Sequence, residues 1–334
     1  MYAQSKPPVQ NRINSFTVLK FLALITIFLA TMYFSYIGVI EFNSWSQVDD
    51  LHRSNLPLIY LSDHPHFYRY LISMPGLLAS EYFGMNAFSV YISLFMFFSI
   101  YIMYSILRDR SDFVVFFGCA CIFTAHLFMN GRGAISWFGW MIILKFLSSK
   151  ETQINIKSIF IMLFSLLCCS VSSGTFTVAF LTVILFLAIH FLKNRNVSSV
   201  ILLVVLLYIY SPLAIEGIER NLAYYSLGNK NPIVNMLEHG FGSIVEYSPI
   251  MVALIASLIL IISTILLYSV NRKFAYWEFL CVLTPLFGGI FGYTTLTLAV
   301  PSIILVGFSR IGESRSQKPT LARAEAPLRP KFRY

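Results

Sequence analysis

Charge is scarce in this chain. Asp, Glu, Lys and Arg make up 12% of its 334 residues, about half the share of an ordinary soluble domain, and that excludes a soluble enzyme. Glycine-rich phosphate loops are missing: neither a Walker sequence nor a GxGxxG run occurs, so ATP-driven transport and dinucleotide chemistry have no support. There is no helix-turn-helix, zinc-finger or aromatic RNA-binding signature and no internal repeat, which removes nucleic acid as a partner. The five cysteines (Cys119, Cys121, Cys168, Cys169 and Cys281) all lie in apolar runs without paired spacing. An odd, unpaired set excludes a disulfide framework and a zinc site, and the five read as small core residues. Strict two-residue alternation is absent as well, which excludes an outer-membrane barrel.

What the chain has in abundance is apolar sequence: 57% of residues are hydrophobic, with 31 Phe and 19 Tyr, and mean hydropathy is +0.73. It falls in recurrent runs of roughly 20 residues, the length that crosses a hydrocarbon core as a helix. The reading is an all-α polytopic integral membrane bundle. Ten candidate spans lie near 16–40, 86–107, 113–129, 133–148, 157–173, 175–192, 197–215, 249–270, 275–290 and 291–308. The first is longer than a signal-peptide core and lacks a small-residue cleavage site, so it is expected to be retained.

Placing the N-terminus in the cytoplasm puts 19 of the 24 basic residues inside and leaves Arg53, Arg69, Arg132, Arg220 and Lys230 outside. The positive-inside rule therefore predicts N-in, C-in. Nine of the 15 acidic residues partition the other way, among them Asp49, Asp50, Glu81 and Glu216, so polar chemistry is expected on the extracytoplasmic face. Two long outer loops, 41–85 and 216–247, offer room for a site. Within the first, the spacing predicts a helix over Phe67–Phe83 that lies along or dips into the membrane, because Pro75, Gly76 and Glu81 argue against a full span. Residues 1–309 read as one transmembrane domain. Beyond them 310–334 carries seven Lys/Arg against two Glu and is expected to be a disordered basic tail near anionic lipid.

Two polar features need explaining. Arg132 sits in Asn130-Gly131-Arg132-Gly133 between two spans, where it either snorkels to headgroups or faces inward toward an anion. A guanidinium binds phosphate oxygens bidentately and keeps its proton. The segment Trp45–Tyr70, WSQVDDLHRSNLPLIYLSDHPHFYRY, is the densest polar cluster, with Asp49, Asp50, His52, Arg53, Asp63, His64, His66 and Arg69. Asp49 and Asp50 are candidates for a base or a cation site, or equally for helix caps in a hydrated loop. His64-Pro65-His66 lacks further ligands at zinc spacing, so proton transfer by a histidine is preferred to a metal. His126 and His190, inside spans, read as satisfied core histidines. The serines of Ser170–Thr175 lack a G-x-S-x-G elbow, so no hydrolase nucleophile is expected there.

In order and spacing, the Asp-rich loop, His64-Pro65-His66-Phe67-Tyr68, the helix through Leu77–Gly84, one span, and then Asn130-x-Arg132-x-x-Ile135 resemble the EpsG/Wzy-like family of bacterial polysaccharide polymerases. That family carries an acidic-Pro-x-Phe-Tyr segment and, one span later, an N-x-x-R-x-x-[IL]-A helix start. Here His64 replaces the carboxylate, and Asn130 is one residue nearer Arg132. The later H-x-S hairpin appears as Ser170-Val171-Ser172-Ser173 without its histidine. The resemblance covers about Met1–Thr177.

It implies a bacterial inner-membrane glycosyltransferase that joins oligosaccharide repeat units carried on undecaprenyl diphosphate, in O-antigen or exopolysaccharide synthesis. It needs no cofactor, and its partners are a chain-length regulator and a flippase. On that reading Arg132, with Arg220, holds the donor diphosphate, and Asp50 or His64 deprotonates the acceptor hydroxyl. Tyr68 and Tyr70 pack against sugar rings, and Asp49, Arg53, Arg69 and Asn130 complete the substrate contacts. Two rival readings stay open. One is a C-type glycosyltransferase using a polyprenyl-phosphate sugar, with Asp49 or Asp50 as base or metal contact. The other is a flippase for a lipid-linked glycan, against which stands the lack of any repeat between the chain halves.

Overall fold

The computed structural model describes residues 15–39, 42, 46–54, 56–61, 64, 66–84, 86–108, 112–127, 131–148, 156–195, 197–226, 276–288 and 298–316. Among them no strand occurs, and nearly all of these residues are helical. The helices are α1 Ser15–Tyr36, α2 Ser46–Arg53, α3 Leu58–Leu61, α4 Phe67–Phe83, α5 Asn86–Leu107 and α6 Asp112–Leu127. They continue with α7 Gly131–Ser148, α8 Ile156–Cys169, α9 Ser173–Asn194, α10 Val197–Tyr225, α11 Tyr276–Gly288 and α12 Ala299–Ser316.

Asn86–Leu107, Ser173–Asn194 and Val197–Glu216 are long and apolar enough to cross a membrane. Shorter apolar helices cover Leu22–Tyr36, Asp112–Phe123 and Lys157–Cys169. These helices turn large apolar side chains outward as well as inward: Phe113 and Phe116 on α6 are each 73% exposed, and Leu22, Phe160, Leu192 and Val204 also lie open. A helix that is apolar all round belongs in a medium without water.

Nine of the expected spans have a helix in the structure, and 249–270 lies outside the described residues. Two helices end more than four residues beyond the expected limit. The helix of the seventh span runs on to Tyr225, so 216–225 is helical where a loop was expected. Glu216, Glu219, Arg220, Leu222 and Ala223 are good helix formers, and extending an existing helix costs far less than nucleating one. The last helix starts at Ala299 and ends at Ser316, so the first residues of the basic tail extend it. Pro301 sits in the first turn of this helix, where a missing N–H costs nothing.

Short connections between α4 and α5, α8 and α9, and α9 and α10 bring neighbouring helices back against one another. The α4–α5 turn closes on Gly84, whose φ of 91° suits glycine and whose N–H reaches Ser80 O at 3.0 Å. At the α8–α9 turn, Ser172 N–H donates to Cys169 O at 3.1 Å and Ser170 Oγ to Leu167 O at 2.6 Å.

The main core runs through α5 to α12 around Trp137, Trp140, Met103, Phe176 and Phe186. Helices α7 and α8 approach most closely at Gly139, where a Cβ would stand 2.5 Å from Ser165 O. The fully buried Trp140 donates its indole N–H to Leu298 O at 3.1 Å and Ser302 Oγ at 3.0 Å, which ties α7 to the start of α12. All five cysteines are free thiols, three of them buried. His190 is buried too: it stacks on Phe186 at 5.6 Å and meets Asn194 Nδ2 at 3.1 Å, a satisfied core histidine as expected. The side chain of His126 lies outside the described residues.

Candidate functional site

A second apolar cluster joins one end of the bundle to the segment before α5. Val48 and Leu51 of α2, Leu61 of α3, and Tyr70, Ile72 and Leu77 of α4 pack with Phe88 and Ile92 of α5. Ala134 and Ile135 of α7, with Cys168 and Val171 at the α8–α9 turn, complete it. Helix α2 is short and two-sided, so its apolar stripe, Val48 and Leu51 at i and i+3, seats it on α4. Its polar residues are left along the rim of the contact.

Helix α4 is shaped by Pro75 and Gly76. Pro75 removes one backbone donor from the helix, and Tyr91 of α5 donates its hydroxyl to the carbonyl of Ile72 nearby. The Tyr91 ring lies against Gly76, where a Cβ would meet it at 2.5 Å. A small residue therefore lets α4 rest on α5.

Polar contacts clasp α2 to α4 at both ends of α2. Near its start, Arg69 Nη1 donates to Gln47 Oε1 at 3.0 Å. Near its end, His52 lies between two residues of α4: its Nδ1 is 3.3 Å from Tyr70 Oη and its Nε2 is 2.9 Å from Glu81 Oε1. Tyr70 and Glu81 are eleven residues apart, close to three helical turns, so they share one face of α4 and His52 spans the stretch between them. With the imidazole neutral and its proton on Nε2, both contacts are satisfied: the Tyr70 hydroxyl donates to Nδ1, and Nε2–H donates to the Glu81 carboxylate. Burial, and after it the negative charge of Glu81, hold the Tyr70 phenol above its usual pKa. It therefore remains a neutral O–H donor.

The residues anticipated from sequence divide into three groups. Arg69 and Tyr70 are buried and turned inward, so Tyr70 supports His52 and does not offer an open face to a sugar. Asp49 and Tyr68 are half-buried. Asp50, Arg53 and His64 are exposed. His64 serves the turn before α4: its Nδ1 accepts the His66 N–H at 3.1 Å, and its carbonyl accepts the Phe67 N–H at 2.9 Å.

Arg132 lies in the first turn of α7, half-buried, and makes no ion pair or hydrogen bond among the described residues. The next residues, Ala134 and Ile135, belong to the same apolar cluster as Tyr70. Arg220 is on the last turns of α10, on a helix and not in a loop. Its side chain lies outside the described residues, as do Asn130 and Asp63.

Glu81 and His52 had not stood out from sequence as partners. The available signal was the eleven-residue spacing of Tyr70 and Glu81 on one helix face, beside a short amphipathic helix carrying a histidine. Among the described residues no group of three or more His, Cys, Asp or Glu could hold a metal ion. The chain matches no protein-family model, no curated protein and no solved structure.

Proposed function

We propose that this chain is a membrane glycosyltransferase that polymerises oligosaccharide repeat units from an undecaprenyl-diphosphate donor on the extracytoplasmic face of a bacterial inner membrane. The single observation that carries the reading is Arg132. A guanidinium that is half-buried, without an ionic partner among the described residues, and two residues before Ala134, which shares an apolar cluster with α2 and α4, is suited to a diphosphate. Glycosyl transfer from such a donor needs a cation to stabilise the leaving diphosphate and a base for the attacking hydroxyl, held in one place. Arg132 supplies the first, and a carboxylate or imidazole of the α2–α4 layer the second, for which the sequence offers Asp50 and His64.

The topology belongs to the same proposal: about ten spans, with both termini in the cytoplasm. It draws support from the basic residues Arg108, Lys145, Lys157, Lys193 and Arg195, all at helix ends where the up-and-down path of α5, α7, α8 and α9 brings the chain to one end of the bundle.

The test is the length distribution of surface or lipid-linked polysaccharide in the native host after deletion of the gene. Deletion is expected to leave single repeat units and no ladder. The parental chain should restore the ladder. Arg132→Ala and Arg132→Lys, at parental membrane abundance, should not, because Lys keeps the charge and loses the bidentate fork. An unchanged ladder in the deletion strain would refute polymerisation and direct attention to single-sugar transfer or to translocation of a lipid-linked glycan. A ladder restored by Arg132→Lys would refute the role given to the guanidinium.

A further inference from the structure

We propose that Glu81 is the general base of this site, with His52 and Tyr70 as the residues that position it. The proposal rests on the glycosyl-transfer reading above and deepens it. Asp49 is half-buried on α2; of the more open groups near α2 and α4, Asp50, His64 and Glu81 compete for the role, and their surroundings separate them. Asp50 is exposed and has no side-chain partner among the described residues, so nothing fixes its carboxylate. His64 is exposed with one ring nitrogen occupied by the backbone of its own turn. Glu81 is 57% exposed, yet one of its oxygens is held at 2.9 Å by His52, whose own side chain is only 15% exposed. The other oxygen has no partner among the described residues.

The order of burial gives the roles. Tyr70 is innermost, at 8% exposure, His52 lies between, and Glu81 is at the open end. Both nitrogens of His52 are engaged, so the imidazole cannot itself take a proton from an incoming hydroxyl without breaking the clasp. With the Tyr70 hydroxyl donating to Nδ1, the Nε2–H holds Glu81 Oε1, and Glu81 Oε2 is left without a partner among the described residues. A carboxylate oriented in advance loses less freedom on meeting its substrate than an untethered one. In the reaction, Glu81 Oε2 accepts the proton of the acceptor sugar hydroxyl while that oxygen forms its bond to the anomeric carbon of the donor. The bond from the anomeric carbon to the diphosphate oxygen breaks, and the diphosphate leaves with the electron pair. The proton later passes from Glu81 to water.

The experiment uses the full chain in host membrane vesicles, with endogenous lipid-linked saccharide as substrate and glycan ladder formation as the readout. Glu81→Gln is expected to lower the rate by about 10²–10⁴-fold, the usual contribution of a general base. Glu81→Asp should retain part of the activity, and added formate should restore ladder formation to Glu81→Ala. A merely structural clasp would not respond to formate. His52→Gln and Tyr70→Phe should cost less than Glu81→Gln, because they leave the carboxylate in place. Parental rates for Glu81→Gln, or no formate rescue of Glu81→Ala at parental abundance, would overturn the proposal. If Arg132→Ala abolishes the ladder while Glu81→Gln does not, glycosyl transfer stands and this assignment alone falls. If deletion of the whole gene leaves the ladder unchanged, both fall together. Should Glu81→Gln reduce membrane abundance, the formate response of Glu81→Ala at matched abundance decides.

Discussion

Two buried clusters in this molecule are closed in different ways. In the main core, Trp137, Trp140, Phe176 and Phe186 interlock across α7, α9 and their neighbours, and the helix backbones approach until Gly139 has no room for a Cβ. In the second cluster, the eight-residue α2 has only Val48 and Leu51 to bury, and two polar contacts complete its seating: Gln47 accepts from Arg69 of α4, and His52 meets Glu81 of α4. The first region is defined by volume and the second by polar geometry. Packing of the first kind tolerates little change in size. Polar contacts at a half-exposed rim contribute little stability, so they are available for chemistry.

Substitutions should separate the two regions by the kind of loss they cause. The largest effect on stability is expected from Trp140→Ala, which empties a fully buried site and removes the indole N–H that reaches Leu298 O and Ser302 Oγ. A loss of about 3–5 kcal/mol is expected from the cavity, read as a fall in thermal midpoint in detergent. Trp140→Phe should recover most of it, and if it does not, the hydrogen bonds matter more than the volume. Next comes Gly139→Leu, which drives a side chain into Ser165 O, Cys168 and Cys169 and should cost about 1–3 kcal/mol. Smallest should be the clasp. A double-mutant cycle of His52→Gln and Glu81→Gln is expected to give a coupling of about 0.2–1 kcal/mol, because Glu81 is largely exposed. A coupling several times larger would make α2 a structural element comparable to the core and erase the contrast between the two regions.

Much of the bundle was legible in the chain before any coordinates. The apolar run at 86–107 and helix α5 coincide, and the ends of α9 and α7 lie within two residues of their expected limits. A stretch of some 20 residues without charge has few alternatives to a membrane helix, since its backbone groups must be satisfied internally. The helix through Phe67–Phe83 was legible from its 3.6-residue period. Less was legible where helical propensity and polarity compete. Glu216, Glu219 and Arg220 are polar enough to suggest a loop, but they continue α10. At the candidate site, Arg132 could be singled out because a charge between two spans is costly wherever it points. Tyr70 was chosen for its ring, but its hydroxyl and its buried position beside His52 give it a different task.

Sequence by itself determined that this is a helical chain built for an apolar medium, where its long apolar helices would lie, and which few polar residues would need a reason to be there. Hydrophobic periodicity and the scarcity of charge are local properties that every stretch of chain carries independently of the rest. Only the tertiary structure decided which polar groups meet. The contact of His52 with Glu81 links residues 29 positions apart through the packing of two short helices. It depends on Gly76 letting α4 rest on Tyr91 and on Val48 and Leu51 seating α2. Hydrogen bonds are directional and fail within an ångström, so a pairing of this kind is set by how helices dock and not by what either segment prefers alone.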